Sequence, residues 1–138
     1  IGILLRNACK AEINFVGKKS LFKAPYGWYF RWMGGTPIDR SKSTDFVTAT
    51  ARVFQEKEVF RLSLAPEGTR KRVNKLKTGF YYIAKAANVP IVMVAFDFEN
   101  KQVKVAEPFN VSNDLEADFE KVNVFFKGVK GKVPESSF

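Results

Sequence analysis

The sequence predicts an α/β fold: a mixed, mostly parallel sheet flanked by helices, with a C-terminal helix. Three observations lead there. Short apolar segments with strand-like alternation recur along the chain, separated by segments of helical spacing, as in strands joined by crossover helices. The 138 residues fit one domain, so residues 1–138 read as a single domain. Hydrophobic residues make up 46% and charged residues 27%, with 14 Phe, a composition that can bury a core and argues against disorder.

Residues 1–11 read as the end of a helix and 13–17 as a short strand. Residues 21–33 are aromatic-rich, with a turn at Pro25-Tyr26-Gly27 leading into a short helix. Residues 35–38 form a tight strand after Gly34. Ser43 suits a helix N-cap with Asp45 in the first turn, and Phe46, Val47, Thr50, Val53 and Phe54 then share one face. In 59–64, Phe60, Leu62 and Leu64 alternate with Arg61 and Ser63 as a strand does. Residues 79–87 are helical. Residues 90–98 read as a buried strand and 101–106 as a second, joined by a tight turn at Glu99-Asn100 into an antiparallel pair. Ser112 or Asn113 caps the last helix, whose stripe is Leu115, Phe119, Val122 and Phe126. One sheet over residues 13–106 is expected, with Leu62, Leu64, Val92 and Val94 buried in it.

Charge narrows the function. The chain holds 23 Lys plus Arg against 14 Asp plus Glu, a net +9. The excess is confined to residues 1–94, at +11, while residues 95–138 carry −2. The front two-thirds attracts anions: nucleic acid, anionic lipid headgroups or phosphorylated small molecules. The single Cys and absent His exclude Ser-His, Cys-His and His-metal chemistry within the chain, and no metal site is expected. No apolar run approaches the ~20 residues of a transmembrane helix.

Three loops carry chemistry. In Gly34-Gly35-Thr36-Pro37-Ile38-Asp39-Arg40, two glycines permit a tight turn and the strand delivers Asp39 and Arg40 to its carboxyl end, where α/β proteins place ligands. Arginine offers a planar donor fork suited to phosphate; a glycine turn with a surface ion pair explains the loop equally well. Pro66-Glu67-Gly68-Thr69-Arg70 has the same layout after the 59–64 strand, followed by Lys71, Arg72, Lys75, Lys77 and the more distant Lys85. A solvated basic loop is the plainer account, but Glu67 then needs a reason to sit among cations: to hold Arg70 or to bind a substrate hydroxyl. The third, Asn88-Val89-Pro90 and the Ile91–Phe96 run, reads by itself as a core strand opened by proline.

In this order and spacing the three segments resemble the glycerolipid acyltransferase family, the lysophosphatidate and glycerol-3-phosphate acyltransferases. Residues 34–40 look like its second block and 89–94 like its fourth; Pro66-Glu67-Gly68-Thr69-Arg70 matches the third without a mismatch. Lys18-Lys19-Ser20-Leu21-Phe22 fits a basic-then-apolar stretch before the second block. The resemblance covers about residues 1–106 and departs at Ala65, where the family more often carries a bulky residue. Its first block, a histidine followed five residues later by aspartate, has no counterpart here, so no catalytic residue is assigned in this chain and neither Asp39 nor Asp45 is that aspartate. Truncation just after that block is the simplest expectation; a degenerate, non-catalytic homologue is the second.

The resemblance implies acyl transfer from acyl-CoA or acyl carrier protein, as co-substrate, to a hydroxyl of a lysophospholipid or glycerol phosphate in phospholipid biosynthesis. It implies phosphate binding by Arg40, Arg70, Lys18 and Lys19. Gly35, Asp39, Glu67, Gly68 and Thr69 would position the substrate, and Pro90 would shape the acyl pocket. No cofactor is implied. The expected location is cytoplasmic, peripheral on the cytoplasmic membrane face, with an anionic membrane surface as a partner. Glu67 beside Arg70 would have its charged form stabilised and make a weak base. The alternative is a non-catalytic basic domain that binds anionic lipid or nucleic acid. Seven aromatics between Phe15 and Trp32 interleave with Lys18, Lys19, Lys23 and Arg31, which suits base stacking, core packing, or a lipid interface around Trp28, Tyr29 and Trp32. The acidic C-terminal third and the Pro-Glu-Gly-Thr-Arg loop favour the acyltransferase, with no nucleic acid expected.

Overall fold

A computed structural model of the chain describes residues 10–38, 43–66 and 76–131. The chain divides into two compact units, Ile1–Leu64 and Ala65–Phe138. The α/β class is observed, with a parallel and an antiparallel pair of strands and a C-terminal helix. The expected helix over residues 1–11 falls almost wholly outside the described residues.

In the first unit, strand β1 (Phe15–Lys18) pairs in parallel with β2 (Gly35–Ile38). A parallel pair needs a crossover connection. Here it is a 3₁₀ turn (Lys19–Phe22) followed by helix α1 (Gly27–Trp32). From β2 the chain enters helix α2 (Ser43–Glu56) and returns along the other side of β1, where Leu62 makes a single parallel bridge to Asn14. The Asn14 amide donates to the Arg61 carbonyl at 2.7 Å, the Ser63 amide donates to the Asn14 carbonyl at 2.9 Å, and the Phe15 amide turns to the Gly34 carbonyl at 3.2 Å. Consecutive residues thus bond to opposite neighbours, and β1 lies in the middle. The 59–64 segment, expected as a full strand, contributes this one bridge.

Alternation sorts the side chains of β1 and β2 between two faces. Val16 and Ile38 form a buried cluster with Val53 of α2 and Phe60, with Phe46, Ala49, Phe54, Leu62 and Leu64 packed around it. Phe54 and Phe60 meet edge to face at 4.8 Å. The predicted α2 face is thereby observed in Phe46, Val53 and Phe54, and Thr50 is fully buried, its hydroxyl donating to the Phe46 carbonyl at 2.7 Å. On the opposite face the Phe22 ring lies against Gly17 and Gly35.

In the second unit, helix α3 (Gly79–Ala87) ends at Asn88, whose φ of 53° is the left-handed conformation that closes helices. Strands β3 (Val94–Asp97) and β4 (Gln102–Val105) pair antiparallel through a four-residue connection, broader than the expected two-residue turn. Helix α4 (Leu115–Phe126) closes the fold. Tyr81 and Phe80 of α3 stack against Phe119 of α4, and Val122 is buried.

Four further expectations need correction. Instead of one sheet over residues 13–106, the described residues form a two-stranded parallel sheet and a separate two-stranded antiparallel one. Val92 is 48% exposed, and Leu62, Leu64 and Val94 are half-buried rather than buried. Alternation turns Ala95 and Asp97 to the covered side of β3, leaving Val92 and Phe98 on the open one. The predicted strand over 90–98 begins only at Val94, because Ile91 exchanges backbone hydrogen bonds with Phe109 instead. The α4 cap is Asp114, not Ser112 or Asn113: its carboxylate accepts from the Ala117 amide at 3.0 Å. Ser112 is already engaged, donating to Asp118 from its amide at 2.6 Å and its hydroxyl at 2.9 Å.

Candidate functional site

The parallel arrangement decides where the first unit presents its polar groups. β1, β2 and the segment containing Leu62 run in the same direction, so their carboxyl ends fall at one end of the unit. β1 ends in Lys18, exposed and directly opposite Ile38, the last residue of β2. Lys19 follows as the first residue of the 3₁₀ turn and is also exposed. Residues 13–38 contain Lys18, Lys19, Lys23 and Arg31 and no carboxylate, so nothing within the segment neutralises this field.

The backbone entering β2 is shaped by its glycines. Gly34 has a φ of 89°, which side-chain-bearing residues rarely adopt. Gly35 is buried, and a Cβ there would meet the Phe30 carbonyl oxygen at 2.6 Å, Phe15 at 2.7 Å and Phe22 at 2.8 Å. Packing therefore accounts for glycine at 35. Asn14 locks the arrangement from the side: its Nδ2 donates to the Gly34 carbonyl at 3.4 Å and its Oδ1 accepts from the Arg61 amide at 3.1 Å. This buried residue ties both neighbours to the middle strand. Sequence reasoning passed over it, although a lone amide between Ile13 and Phe15 in an apolar strand is the signal.

Of the residues implied to bind or position substrate, Lys18, Lys19, Gly35 and Pro90 are described, and the first three lie in the first unit around β1 and β2. Asp39, Arg40, Glu67, Gly68, Thr69 and Arg70 lie outside the described residues. The chain flanking residues 67–75 is closed by the Lys77 amide donating to the Pro66 carbonyl at 2.9 Å. Pro90 is exposed between α3 and Ile91.

Two buried carboxylates in the second unit are committed to structure. Asp97 accepts from the Asn100 amide at 3.2 Å and the Asn100 side chain at 2.9 Å, and pairs with Lys104 at 3.1 Å. The Asn100 hydrogen bonds, more than the Lys104 charge, lower its pKa from 3.8 to about 2. Burial pushes Asp118 up, but the Ser112 hydrogen bonds and Lys121 at 3.0 Å outweigh it and leave its pKa lowered. Burial, with Asp118 nearby, raises the pKa of Tyr81, whose hydroxyl donates to the Ser112 carbonyl at 2.6 Å. None of these groups has the free, near-neutral titration of a general base. Among the described residues no cluster of His, Cys, Asp or Glu could hold a metal ion, and no helix is long and apolar enough to cross a membrane.

Comparison with known proteins gives consistent matches. The family model described as Acyltransferase matches residues 1–97. The chain is 32% identical over 97 residues to a 1-acyl-sn-glycerol-3-phosphate acyltransferase of Salmonella typhimurium, covering 65% of this chain and 39% of the relative. It is 35% identical over 96 residues to the Escherichia coli K12 protein of the same name, with the same coverage. The Haemophilus influenzae protein of that name is 31% identical over 97 residues, covering 65% of this chain and 40% of the relative. The chain thus spans about two-fifths of the length of these relatives. No solved structure gives a significant match.

Proposed function

This chain belongs to the acyltransferase family, and from that premise we propose that it supplies the acceptor-binding part of an enzyme acylating a hydroxyl of a lysophospholipid or glycerol phosphate. The 1-acyl-sn-glycerol-3-phosphate acyltransferases to which it is similar support that acceptor class. The acyl donor is a thioester, acyl-CoA or acyl carrier protein.

The observation that carries the reading is the common end of the three parallel segments. Ligands of α/β folds gather at the carboxyl ends of such strands. Lys18 and Lys19 stand at the end of β1. Asp39 and Arg40 follow β2 immediately in sequence, and Pro66-Glu67-Gly68-Thr69-Arg70 follows Leu64 by one residue. The family resemblance gives Arg40 and Arg70 the role of binding the acceptor phosphate, and Lys18 and Lys19 the role of supplying a wider positive field. Asp39, Glu67 and Thr69 orient the arginines and a glycerol hydroxyl, Gly68 admits the ligand to the backbone, and Gly35 holds the approach to β2. The same resemblance gives Pro90 a role in shaping acyl-chain binding.

Transfer requires the acceptor oxygen to lose its proton as it bonds to the thioester carbonyl carbon. The carbon–sulfur bond then breaks and the thiolate leaves with a proton. The family's base for this step is the histidine of the His-x₄-Asp block, and this chain contains no histidine. Its own residues bind and orient, a contribution that intramolecular reactions show to be large.

The test is thioester release with lysophosphatidate and glycerol 3-phosphate as acceptors, by this chain and by a version with a His-x₄-Asp segment fused ahead of Ile1. The expected result is no transfer by the first and transfer by the second, since general-base loss alone removes ~10²–10⁴-fold in rate. Robust turnover by the histidine-free chain would overturn the mechanism. A folded, histidine-bearing version inert toward every acceptor would overturn the function.

A further inference from the structure

The aromatic residues between Phe15 and Trp32 are sorted by chemistry. Phe22 is buried and Phe15 and Phe30 are half-buried, with Phe22 and Phe30 in edge contact at 6.2 Å. The four rings that carry a polar N–H or O–H are exposed: Tyr26 by 68%, Trp28 by 71%, Tyr29 by 41% and Trp32 by 74%. Trp28 and Trp32 are four apart on α1 and share its outer face. Tyr29 touches both, with ring centres at 6.1 and 6.2 Å, and Leu21 adds a further exposed apolar side chain.

The inner face of α1 is firmly fixed. Gly27 approaches the Phe22 carbonyl so closely that no side chain would fit. Arg31 donates to the same carbonyl at 3.3 Å with its guanidinium over the Phe22 ring. The outer face is therefore a rigid, displayed patch, not one awaiting collapse onto the domain. Exposed aromatic clusters of this kind mark interaction surfaces. Rings with an apolar body and a polar tip are the ones that settle at the boundary between lipid headgroups and acyl chains.

Charge selects the partner. Lys18, Lys19 and Lys23 precede the patch in sequence and no carboxylate occurs between residues 13 and 38, so the segment is complementary to an anionic surface. We propose that the outer face of α1, through Trp28, Trp32, Tyr29 and Tyr26, docks the chain on the headgroup region of an anionic bilayer. This surface goes beyond the acceptor site.

Trp28 and Trp32 are the only tryptophans in the chain, so intrinsic fluorescence reports on the patch directly. The full chain is titrated with mixed phosphatidylglycerol–phosphatidylcholine vesicles, with pure phosphatidylcholine vesicles, and with a single-stranded oligonucleotide at matched salt. The expected result is a blue-shifted emission, quenched by bromine-labelled acyl chains, with the anionic vesicles alone. The Trp28→Ser, Trp32→Ser double variant should bind those vesicles at least ~10-fold more weakly, and Lys23→Glu roughly fivefold or more. Both should retain glycerol 3-phosphate binding, which separates loss of docking from failure of the acceptor reading. Vesicle binding with unshifted, unquenched tryptophan emission would overturn the proposal. So would an emission change with the oligonucleotide and none with vesicles, which would instead identify a nucleic-acid surface.

Discussion

Lys18 stands directly across from Ile38 in the parallel β1–β2 pair. Both strands finish at the same level, one in an exposed ammonium group and the other one residue short of Asp39-Arg40. Charge reversal at Lys18 and Lys19 together should therefore weaken glycerol 3-phosphate binding about tenfold or more, the scale of a lost charge-assisted contact. Calorimetric titration checks this, and both side chains are exposed, so the melting temperature should barely move.

Gly35→Ala should destabilise the first unit by ~1–3 kcal/mol, the usual cost of overpacking. The added methyl would meet the Phe30 carbonyl oxygen, a backbone atom that cannot rotate away, before either neighbouring ring. Denaturant unfolding measures the loss. Unchanged stability with altered ligand affinity would mean the space at Gly35 serves the ligand rather than packing.

Asp97 sets a pH dependence. Its pKa is lowered from 3.8 to about 2 in the folded chain, so folding favours the deprotonated form. The stabilisation is complete above the unfolded value and disappears as pH falls from about 4 through about 2. Asp97→Asn should flatten that part of the stability–pH curve measured by thermal melts, because the amide cannot titrate.

Asp118→Ala should cost ~1–3 kcal/mol by removing a buried carboxylate that accepts two hydrogen bonds from Ser112. Asp118→Asn keeps an acceptor oxygen and should cost less. The difference belongs to the charge, since Lys121 pairs with Asp118 at 3.0 Å while staying largely exposed. Urea unfolding of the two variants gives the ranking.

Elements whose logic is local were legible in the sequence. β2 and α3 occupy the predicted spans 35–38 and 79–87, because a glycine turn bounds one and apolar helical spacing defines the other. What was not legible depends on partners distant in sequence. Val92 looks like a core residue, and only the pairing of Ile91 with Phe109 shows why the ladder starts later. The cap is a different, local case: Ser112, Asn113 and Asp114 are all good capping residues, and the choice fell to Asp114 because Asp118, six residues on, already holds the serine. For the candidate site, the residues of the two arginine-bearing loops lie outside the described ones, and β1 runs to Lys18, one residue past the expected strand 13–17. Asn14 was overlooked because its two partners, Gly34 and Arg61, are 20 and 47 residues away.

That position of Asn14 has a consequence for biosynthesis. The middle strand is made first, yet one of its edges finds partners only in residues 61–63. A ribosome that has released β1 and β2 has released a parallel pair whose β1 edge is still bare, a template for pairing with another chain. The edge closes only after α2 and Ser63 have emerged. Non-local pairing of this kind is slow because loop closure precedes its reward. Nascent chains halted inside α2 should accordingly be the most prone to aggregate, and those extended past residue 64 should shed that tendency as β1 gains its second neighbour.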